Sequence, residues 1–294
     1  MISPNTFSLL LLMSILSPIA AAYSRGARQR LFATMIEKQP VRNPMSASST
    51  VLVVGSSRGI GSEFVRQCLE KGANVHATYR GDVLPTEIEE LVRCDRFRPG
   101  QLTAVQMDVT DEVSVARAAE SCRATAGEGF THIIHNAGIY GTQVSIDGKA
   151  WGSRSAAAPI SKDVMMEVFE ANAVGPLLVA QAFYPLLKAP PAQPVYAFLT
   201  SKVGSIQDNG SGGAYAYRAS KSALNMIAKS LSVDLAGLAN VVLLHPGYVR
   251  TDMTGGNGLI GTSESAAGML RAIEATDSSS DFRWVDYKAE VVPW

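Results

Sequence analysis

Two side chains in this sequence have the types and spacing to act together on one reacting oxygen. Tyr217 and Lys221 are four positions apart, and residues at that interval share one face of a helix. A free tyrosine has a pKa of about 10 and donates its proton poorly at neutral pH, but a nearby ammonium group stabilises the phenolate and lowers that pKa. A tyrosine tuned in this way can protonate a carbonyl oxygen. An isolated Tyr-x-x-x-Lys is more often a plain helix-surface pair, so the surrounding chain has to decide.

A glycine-rich segment upstream predicts a turn that can hold a phosphate. The apolar run of residues 51–54 predicts a buried strand, and apolar side chains recur at helical spacing from Ile60 onwards. Between them lies Gly55-Ser56-Ser57-Arg58-Gly59-Ile60-Gly61. Glycine allows close approach to a ligand, and the N-terminus of the following helix favours negative charge. The Gly-x-x-x-Gly-x-Gly spacing differs from the common dinucleotide-binding motif, so alone it also fits a tight strand-to-helix turn.

Four further short motifs follow in the same order as in a known enzyme family. They are Asn136-Ala137-Gly138, Asn172-Ala173-Val174-Gly175, the segment from Leu199 to Ser205, and Pro246-Gly247-Tyr248-Val249-Arg250-Thr251. With the glycine loop and the Tyr-Lys pair, they make residues 49–294 resemble the short-chain dehydrogenase/reductase family. Each motif alone is weak, but the ordered combination is specific.

The resemblance implies a catalytic set made of Asn172, Ser201, Tyr217 and Lys221. In such a set the tyrosine protonates the carbonyl oxygen, the serine orients it, the lysine binds ribose hydroxyls and tunes the tyrosine, and the asparagine holds a water that relays protons. Ser201 lies sixteen residues before Tyr217, slightly further than is usual in the family, so Ser205 remains the alternative. The turn-forming residues 208–213 look like the insertion that accounts for the extra length.

The resemblance also implies a site for NADP(H). The residues expected to bind this cofactor are Gly55, Ser57, Arg58, Gly59, Ile60, Gly61, Arg80, Asp108, Val109, Asn136, Ala137, Gly138, Tyr217, Lys221, Pro246, Gly247, Val249 and Thr251. Many NAD-specific members have an acidic residue at the end of the second strand, where a carboxylate repels the 2′-phosphate of NADP. This chain has Arg80 there and Arg58 in the glycine loop, and guanidinium groups suit phosphate geometry. We therefore expect NADPH, the alternative being that both arginines are solvated surface residues.

Apolar runs alternate with helix-like segments along the chain. Strands are expected near 51–54, 74–79, 103–107, 131–135, 195–200, 240–245 and 282–287, and helices near 60–71, 111–126, 161–188, 214–236 and 262–275. This alternation predicts an α/β fold, a single doubly wound Rossmann-type domain with a mostly parallel seven-stranded sheet. Asn172 falls within one of the helical segments, where asparagine is a poor helix former, so we expect a local bend there.

Composition and charge favour one enzyme domain without a nucleic-acid partner. Hydrophobic residues make up 47% of the chain, and 26 Lys and Arg balance 26 Asp and Glu, which leaves no net charge to attract nucleic acid. Cys68, Cys94 and Cys122 form no Cys-x-x-Cys pair and are expected to be reduced. The four histidines lack metal-ligand spacing, so core or loop positions are expected and no metal is implied.

Residues 1–45 have the composition of a targeting presequence, and residues 46–294 are expected to form the reductase domain. Residues 1–22 are signal-like, with an apolar stretch too short for a stable membrane span and small residues at 20–22. Residues 23–45 are rich in Arg and Ser and are transit-like. Such a bipartite arrangement resembles plastid presequences, with the mitochondrion, the endomembrane system or the cytoplasm as alternatives.

The C-terminal region narrows the resemblance to C-factor-like and Sniffer-like carbonyl reductases. Residues 282–287, residues 292–294 and the Gly-rich approach to Tyr217 resemble that subgroup. The resemblance implies NADPH-dependent reduction of a small ketone, aldehyde or quinone, by a homodimer or a tetramer. The alternative is a non-catalytic NADP(H)-binding regulatory or signalling protein, a role that the C-factor resemblance leaves open.

Overall fold

The structure, a computed structural model, describes residues 43–141, 146, 160–189, 193–277 and 280–294. The predicted targeting segment therefore lies outside the described residues, except for its last three positions. Within the described ranges, no helix is long and apolar enough to cross a membrane.

Seven parallel strands form the single sheet that the sequence predicted. They are β1 (Thr50–Val54), β2 (Asn74–Tyr79), β3 (Leu102–Gln106), β4 (His132–His135), β5 (Val195–Leu199), β6 (Asn240–His245) and β7 (Arg283–Asp286). Their order across the sheet is β3-β2-β1-β4-β5-β6-β7, and every neighbouring pair is parallel. The doubly wound fold class is confirmed, and the predicted bounds of these strands agree to within one residue or two.

Helices cover both faces of the sheet. They are α1 (Gly59–Glu70), α2 (Thr86–Arg93), α3 (Glu112–Thr125), α4 (Lys162–Phe169), α5 (Gly175–Phe183), α6 (Tyr215–Asp234) and α7 (Thr262–Glu274). Leu52 and Val54 of β1 pack in the apolar cluster with α3, α5 and α6, whereas Val51 and Val53 pack with α1 and α7. Successive side chains of a strand point to opposite faces, which is why the continuous apolar run of β1 is buried on both sides.

Helix α2 was not expected from the sequence. It has eight residues, begins after Pro85 and fully buries only Ile88, with Leu91 half-buried against the same apolar cluster, so its apolar pattern is too short to stand out in the sequence. A helix this short is stabilised by its packing on the domain and not by its own propensity.

The long helix expected over residues 161–188 is interrupted. A π-helical turn, Glu170–Val174, separates α4 from α5, and a 3₁₀ turn follows at Tyr184–Leu186. The bend expected at Asn172 is therefore present, because this residue lies in the π-helical turn.

The segment before β1 is packed against the domain. Met45 is buried in the same apolar cluster as α1 and α7, and its backbone N–H donates to the Glu274 carboxylate at 3.2 Å. The backbone N–H of Asn43 donates to the Glu274 carbonyl oxygen at 3.0 Å. These contacts place residues 43–45 with the folded domain, although the sequence assigned them to the presequence.

Candidate active site

The carboxyl ends of β1 and β4 form a crevice at the point where the chain reverses its direction of winding. The connection after β1 leads into α1 on one face of the sheet, and the connection after β4 leads to α4 and α5 on the other. Ligands bind at such switch points in open α/β sheets. Most of the residues that the sequence singled out follow the ends of β1 to β6, and Asn172, Tyr217 and Lys221 lie on helical segments.

The glycine loop between β1 and α1 is held by both neighbouring strands. Gly55 donates its N–H to the Thr78 hydroxyl at 3.0 Å, and its carbonyl oxygen accepts from the Asn136 amide at 2.6 Å. Gly55 has a φ of +78°, and an added Cβ would lie 2.7 Å from the Ala137 Cα. A Cβ on Gly61 would overlap the Gly55 carbonyl oxygen. Two of the three glycines are thus required by the packing of the loop itself.

The first turn of α1 is open to an anion. The residue before the helix, Arg58, makes no side-chain cap, and no acidic residue lies in the first turn. The backbone N–H groups at a helix start have no acceptor within the helix, so this end combines free donors with the positive end of the helix dipole. The arrangement fits the pyrophosphate of a dinucleotide.

The two arginines assigned to the cofactor phosphate have different surroundings. Arg58 lies 3.1 Å from the Asp252 carboxylate, and both side chains are more than 70% exposed. Arg80 is exposed directly after β2. Because an exposed ion pair contributes little free energy, Arg58 can exchange Asp252 for a phosphate at small cost.

The next candidate cofactor contacts follow β3 and β6. The Asp108 carboxylate accepts from the backbone N–H and the hydroxyl of Thr110, at 3.0 and 2.7 Å, so its local turn fixes it. After β6, Gly247 has a φ of +85° and packs against Tyr287 and Ile260. A Cβ on Gly59 would lie 3.5 Å from the Thr251 Cγ2, which shows that the segment after β6 meets the glycine loop. Pro246, Val249 and Val109 are on the same edge.

Asn172 ties the π-helical turn to the end of β4. Its side-chain oxygen accepts from the Ile139 N–H at 2.8 Å, and its amide donates to the Ile139 carbonyl oxygen at 2.8 Å and to the Ser220 hydroxyl at 3.0 Å. Both amide hydrogens are thereby used inside the protein. A Cβ on Gly138 would lie 2.9 Å from the Asn172 Oδ1 and 3.4 Å from the Lys221 Nζ, so the glycine allows these groups to approach.

Ser201, Tyr217 and Lys221 meet where β5 ends against α6. The Ser201 side chain lies close enough to the Tyr217 phenol to lower its pKa. The Lys221 Nζ donates to the Leu199 carbonyl oxygen at 3.0 Å and lies 5.7 Å from the centroid of the Tyr217 ring. The Tyr140 ring lies against Tyr217, with 4.9 Å between centroids. A phenol, a hydroxyl and an ammonium group are therefore together at one end of the crevice.

The pKa of Tyr217 shifts in the direction opposite to the one expected from the Tyr-Lys pair. Burial raises it to about 12, and Tyr140 adds to the rise while the hydrogen bond with Ser201 opposes it. Burial also lowers the pKa of Lys221 to about 8, because an ammonium group loses its hydration in a buried site. Burial thus outweighs the lowering expected from the lysine, and Tyr217 carries its proton at neutral pH.

The structure distinguishes Ser201 from the alternative serine. Ser205 is buried, its hydroxyl donates to the Trp294 carbonyl oxygen at 3.2 Å, and the same hydroxyl accepts from the Asp208 N–H at 3.0 Å. These bonds hold the Ser205 hydroxyl against Trp294 and the loop at Asp208. Ser201 is the serine that contacts Tyr217.

A model of the family described as short chain dehydrogenase matches residues 49–258 of the chain. The chain belongs to that family. The resemblance expected from the six motifs is confirmed, and the match includes every position assigned to the cofactor or to catalysis.

Several relatives of this short-chain dehydrogenase show the same subgroup. C-signal of Myxococcus xanthus is 40% identical over 163 residues, which are 55% of this chain and 91% of that protein. The structure of the carbonyl reductase Sniffer of D. melanogaster is similar with a TM-score of 0.73 and 27% identity, over 84% of this chain and 99% of that one. The NADPH-bound carbonyl reductase from chicken fatty liver gives a TM-score of 0.72 and 31% identity, over 83% and 94%.

Sequence reasoning missed two residues that build the site of this short-chain dehydrogenase. Thr78 holds the glycine loop through its hydroxyl and through its carbonyl oxygen, which accepts from Ser56 at 2.8 Å. Ser220 lies between Tyr217 and Lys221 in the sequence and is fully buried. Its hydroxyl accepts a hydrogen bond from Asn172, which links Asn172 to α6. The only signal for either was a small polar residue inside an otherwise apolar or helical run. Among the described residues, no cluster of three or more His, Cys, Asp or Glu side chains could hold a metal ion.

Proposed function

We propose that this protein is an NADPH-dependent reductase that converts a small-molecule carbonyl compound to an alcohol, with Tyr217 as the general acid. The observation that carries the proposal is the buried Tyr217–Lys221 pair of α6, with the Lys221 Nζ 5.7 Å from the centroid of the Tyr217 ring and the Ser201 side chain beside the phenol. Membership of an oxidoreductase family and similarity to carbonyl reductases, one of them NADPH-bound, support it.

The residues on the crevice edge fit NADPH. The uncapped start of α1 would take the pyrophosphate, and Arg80 with Arg58 would bind the 2′-phosphate through charge-assisted hydrogen bonds. Asp108 and Val109 would contact the adenine, and the segment from Pro246 to Thr251 would hold the nicotinamide amide. When bound, NADPH supplies the hydride for the carbonyl carbon.

Three side chains would act on the substrate oxygen. Tyr217 carries its proton at neutral pH because burial raises its pKa to about 12, and it would transfer that proton as negative charge develops on the oxygen. Ser201, beside the Tyr217 phenol, would orient the carbonyl. Lys221 would bind ribose hydroxyls and, as a cation beside the phenol, stabilise the phenolate that remains.

Asn172 would act mainly by position. The resemblance assigns it a water that relays protons to Lys221, but both hydrogens of its amide already bind Ile139 and Ser220. A relay water would therefore bind to an oxygen of this residue rather than to its amide hydrogens.

The mouth of the crevice favours an uncharged substrate. Tyr140 contacts Tyr217, and Tyr215 and Tyr248 are each more than 40% exposed. Val203 lies in the turn that begins after Ser201. We propose that these apolar groups line the approach to the phenol, which would suit a ketone, aldehyde or quinone without a charged group near the carbonyl.

A panel of carbonyl compounds tests the proposal. The purified protein is incubated with NADPH and each ketone, aldehyde or quinone, and the oxidation of NADPH is followed by the loss of the absorbance of the reduced nicotinamide. Turnover that is lost in Tyr217→Phe supports the proposal. Tight NADPH binding without turnover of any compound would instead favour a second function.

That second function is a non-catalytic NADP(H)-binding regulator or signalling protein. One observation favours it, namely the 40% identity to a protein named C-signal. The two functions make different demands on Tyr217: a regulator that only binds NADP(H) should keep its activity in Tyr217→Phe, whereas a reductase should lose it.

We also propose a homodimer, with a tetramer as the alternative, and a plastid address in residues 1–45. The helices α4, α5 and α6 expose the apolar side chains of Met166, Leu177, Met226 and Val233, which a second copy would cover. Light scattering of the purified protein measures the number of copies in the assembly.

A fluorescent fusion of residues 1–50 tests the proposed plastid targeting. A purely cytosolic signal would contradict it.

A further inference from the structure

Helix α6 presents two pairs of side chains at the same interval to two different partners. Tyr217 and Lys221 face the crevice, as described above. Arg218 and Ser222 each follow one position later, and one position rotates a side chain by roughly 100° around a helix. This second pair contacts the segment that runs from Ser201 to the start of α6.

Arg218 binds that segment at three points. Its guanidinium donates to the Val203 carbonyl oxygen at 2.9 Å, to the Gly212 carbonyl oxygen at 3.1 Å and to the Ser211 hydroxyl at 2.7 Å. The side chain is buried although it is charged. A planar guanidinium can serve three acceptors at once in a fixed geometry, which a lysine ammonium cannot reproduce.

Ser222 and Gly204 complete the attachment. The Ser222 hydroxyl donates to the Gly204 carbonyl oxygen at 2.7 Å. A Cβ on Gly204 would lie 2.8 Å from the Lys221 Cβ, so the 3₁₀ turn at Lys202–Gly204 rests directly on the catalytic helix. This turn begins at the residue after Ser201.

The backbone at the far end of the segment is strained, so contacts that stabilise this conformation are needed. Gly212, Gly213 and Ala214 have φ values of +60°, +63° and +48°. The left-handed conformation is unfavourable for alanine, yet Ala214 is the residue from which α6 begins. The Arg218 guanidinium donates to the Gly212 carbonyl oxygen, and the Arg218 backbone N–H donates to the Ala214 carbonyl oxygen at 2.9 Å.

We propose that Arg218 is a positioning residue for carbonyl reduction: by tying the backbone of Val203 and Gly212 to α6, it keeps the Ser201 hydroxyl at the Tyr217 phenol. The inference rests on the proposed function for its catalytic consequence. Its structural part, the fixing of residues 203–213 by Arg218, is independent of any substrate.

Amide hydrogen exchange of the cofactor-free protein tests the structural part. In Arg218→Ala, and to a smaller extent in the gentler variant Ser222→Ala, residues 203–213 should exchange about tenfold faster or more, while β1 and β6 remain as protected as in the wild type. Arg123→Ala is the matched control, because Arg123 is exposed on α3, where it pairs with Glu120 at 3.1 Å. Unchanged exchange of residues 203–213 in Arg218→Ala would overturn the inference whatever the activity.

Kinetics test the catalytic part. Arg218→Ala should lower kcat/KM by about 10- to 100-fold, the loss typical of a slightly misplaced group, and leave the Kd for NADPH within about twofold. Arg218→Lys keeps the charge without the planar fork and should recover only part of the loss. A full recovery by lysine would mean that charge, not positioning, is the role of this side chain.

A double-mutant cycle separates this inference from the proposed function. If Arg218 acts through Ser201, Arg218→Ala combined with Ser201→Ala should be no less active than Ser201→Ala alone. Fully additive losses would show that Arg218 does not act through Ser201. If Ser201→Ala itself loses no activity, the proposed role of Ser201 fails, and this inference then fails in its catalytic part with it.

Discussion

At the scale of single residues, the phenol of Tyr217 is the group whose removal should be most informative. Tyr217→Phe keeps the ring and its contact with Tyr140 but removes the proton donor. Turnover should fall by about 10²- to 10⁴-fold, the range for general acid catalysis, and the Kd for NADPH should change little. Turnover is measured with the carbonyl substrate found in the panel, and the Kd is measured by titration with NADPH alone.

Tyr196→Phe is a matched control for this change. Tyr196 is fully buried in β5, and its hydroxyl has no hydrogen-bond partner in the part of the chain that the structure describes. Removing that hydroxyl should leave turnover unchanged and should not lower the free energy of unfolding. Near-normal turnover in Tyr217→Phe would assign proton donation to another group.

The buried lysine gives a stability signal that depends on pH. Burial lowers the pKa of Lys221 to about 8 in the folded protein, whereas an unfolded lysine titrates near 10.4. Between these values the unfolded chain binds more protons at this position than the folded one, so the free energy of unfolding rises with pH by up to about 3 kcal/mol.

Lys221→Met should remove that rise. The difference in unfolding free energy between the wild type and the variant, measured by denaturant titration without cofactor, should grow in favour of the wild type from about pH 8 to about pH 10. The burial of Tyr217 has the opposite effect only above about pH 10, so it does not obscure this window. A difference that is constant with pH would contradict a lowered lysine pKa.

Arg58 and Arg80 should set the preference for NADPH. Each charge-assisted bond to the 2′-phosphate contributes about 1.5–3 kcal/mol, so the double alanine variant should lose most of the NADPH preference while still using NADH. Arg80→Asp should go further because it places a negative charge beside the phosphate. The ratio of kcat/KM for the two cofactors measures this, with Arg123→Ala as control. Equal use of both cofactors by the wild type would refute the assignment.

At the scale of elements, the π-helical turn is the feature with a direct energetic test. Asn172→Ala leaves the N–H and the carbonyl of Ile139 without their partners, and an unpaired buried polar group costs about 1–3 kcal/mol. The free energy of unfolding should fall by about 2 kcal/mol or more. Asn257→Ala, on an exposed loop, should change it by less than about 0.5 kcal/mol. A similar small effect at Asn172 would mean that the turn does not depend on this amide.

Some strands and helices were easier to predict from the sequence than others. Strands β1, β4, β5 and β6 were predicted because both of their faces are buried, which produces mainly apolar runs. Helix α2 was missed because it fully buries one residue only. The Asn172 bend was expected from a poor helix former in a helical run, but its π-helical geometry depends on contacts with Ile139 and Ser220, which are distant in sequence.

At the scale of the whole molecule, the start of the folded domain can be measured by truncation. A protein that begins at Asn43 should unfold at the same temperature as the full chain within a degree or two. A protein that begins at Ser46 loses the buried Met45 side chain and the hydrogen bond from the Met45 backbone N–H to Glu274, and burial of such a side chain contributes about 1.5–3 kcal/mol. Its melting temperature should be lower by about 5 °C or more. Equal melting of both truncated proteins would place the domain boundary at Ser46, as the sequence suggested.

The sequence by itself determined the fold class, the family and the positions of the candidate site. These depend on local patterns: the apolar run of β1, the glycine spacing, and the interval between Tyr217 and Lys221. Each pattern reflects a constraint that neighbouring residues satisfy among themselves, such as a turn that needs glycine or a helix face that repeats every four positions.

Only the tertiary structure decided which serine meets the phenol, which way the pKa of Tyr217 shifts, and what Arg218 holds. The spacing to Tyr217 left Ser205 as the alternative to Ser201, and only the folded chain brings the Trp294 carbonyl oxygen to Ser205. The tyrosine pKa follows burial, which is produced by elements far apart in sequence. Solvent exclusion and hydrogen bonding between distant segments exist only once the chain has folded, so no local pattern could have encoded them.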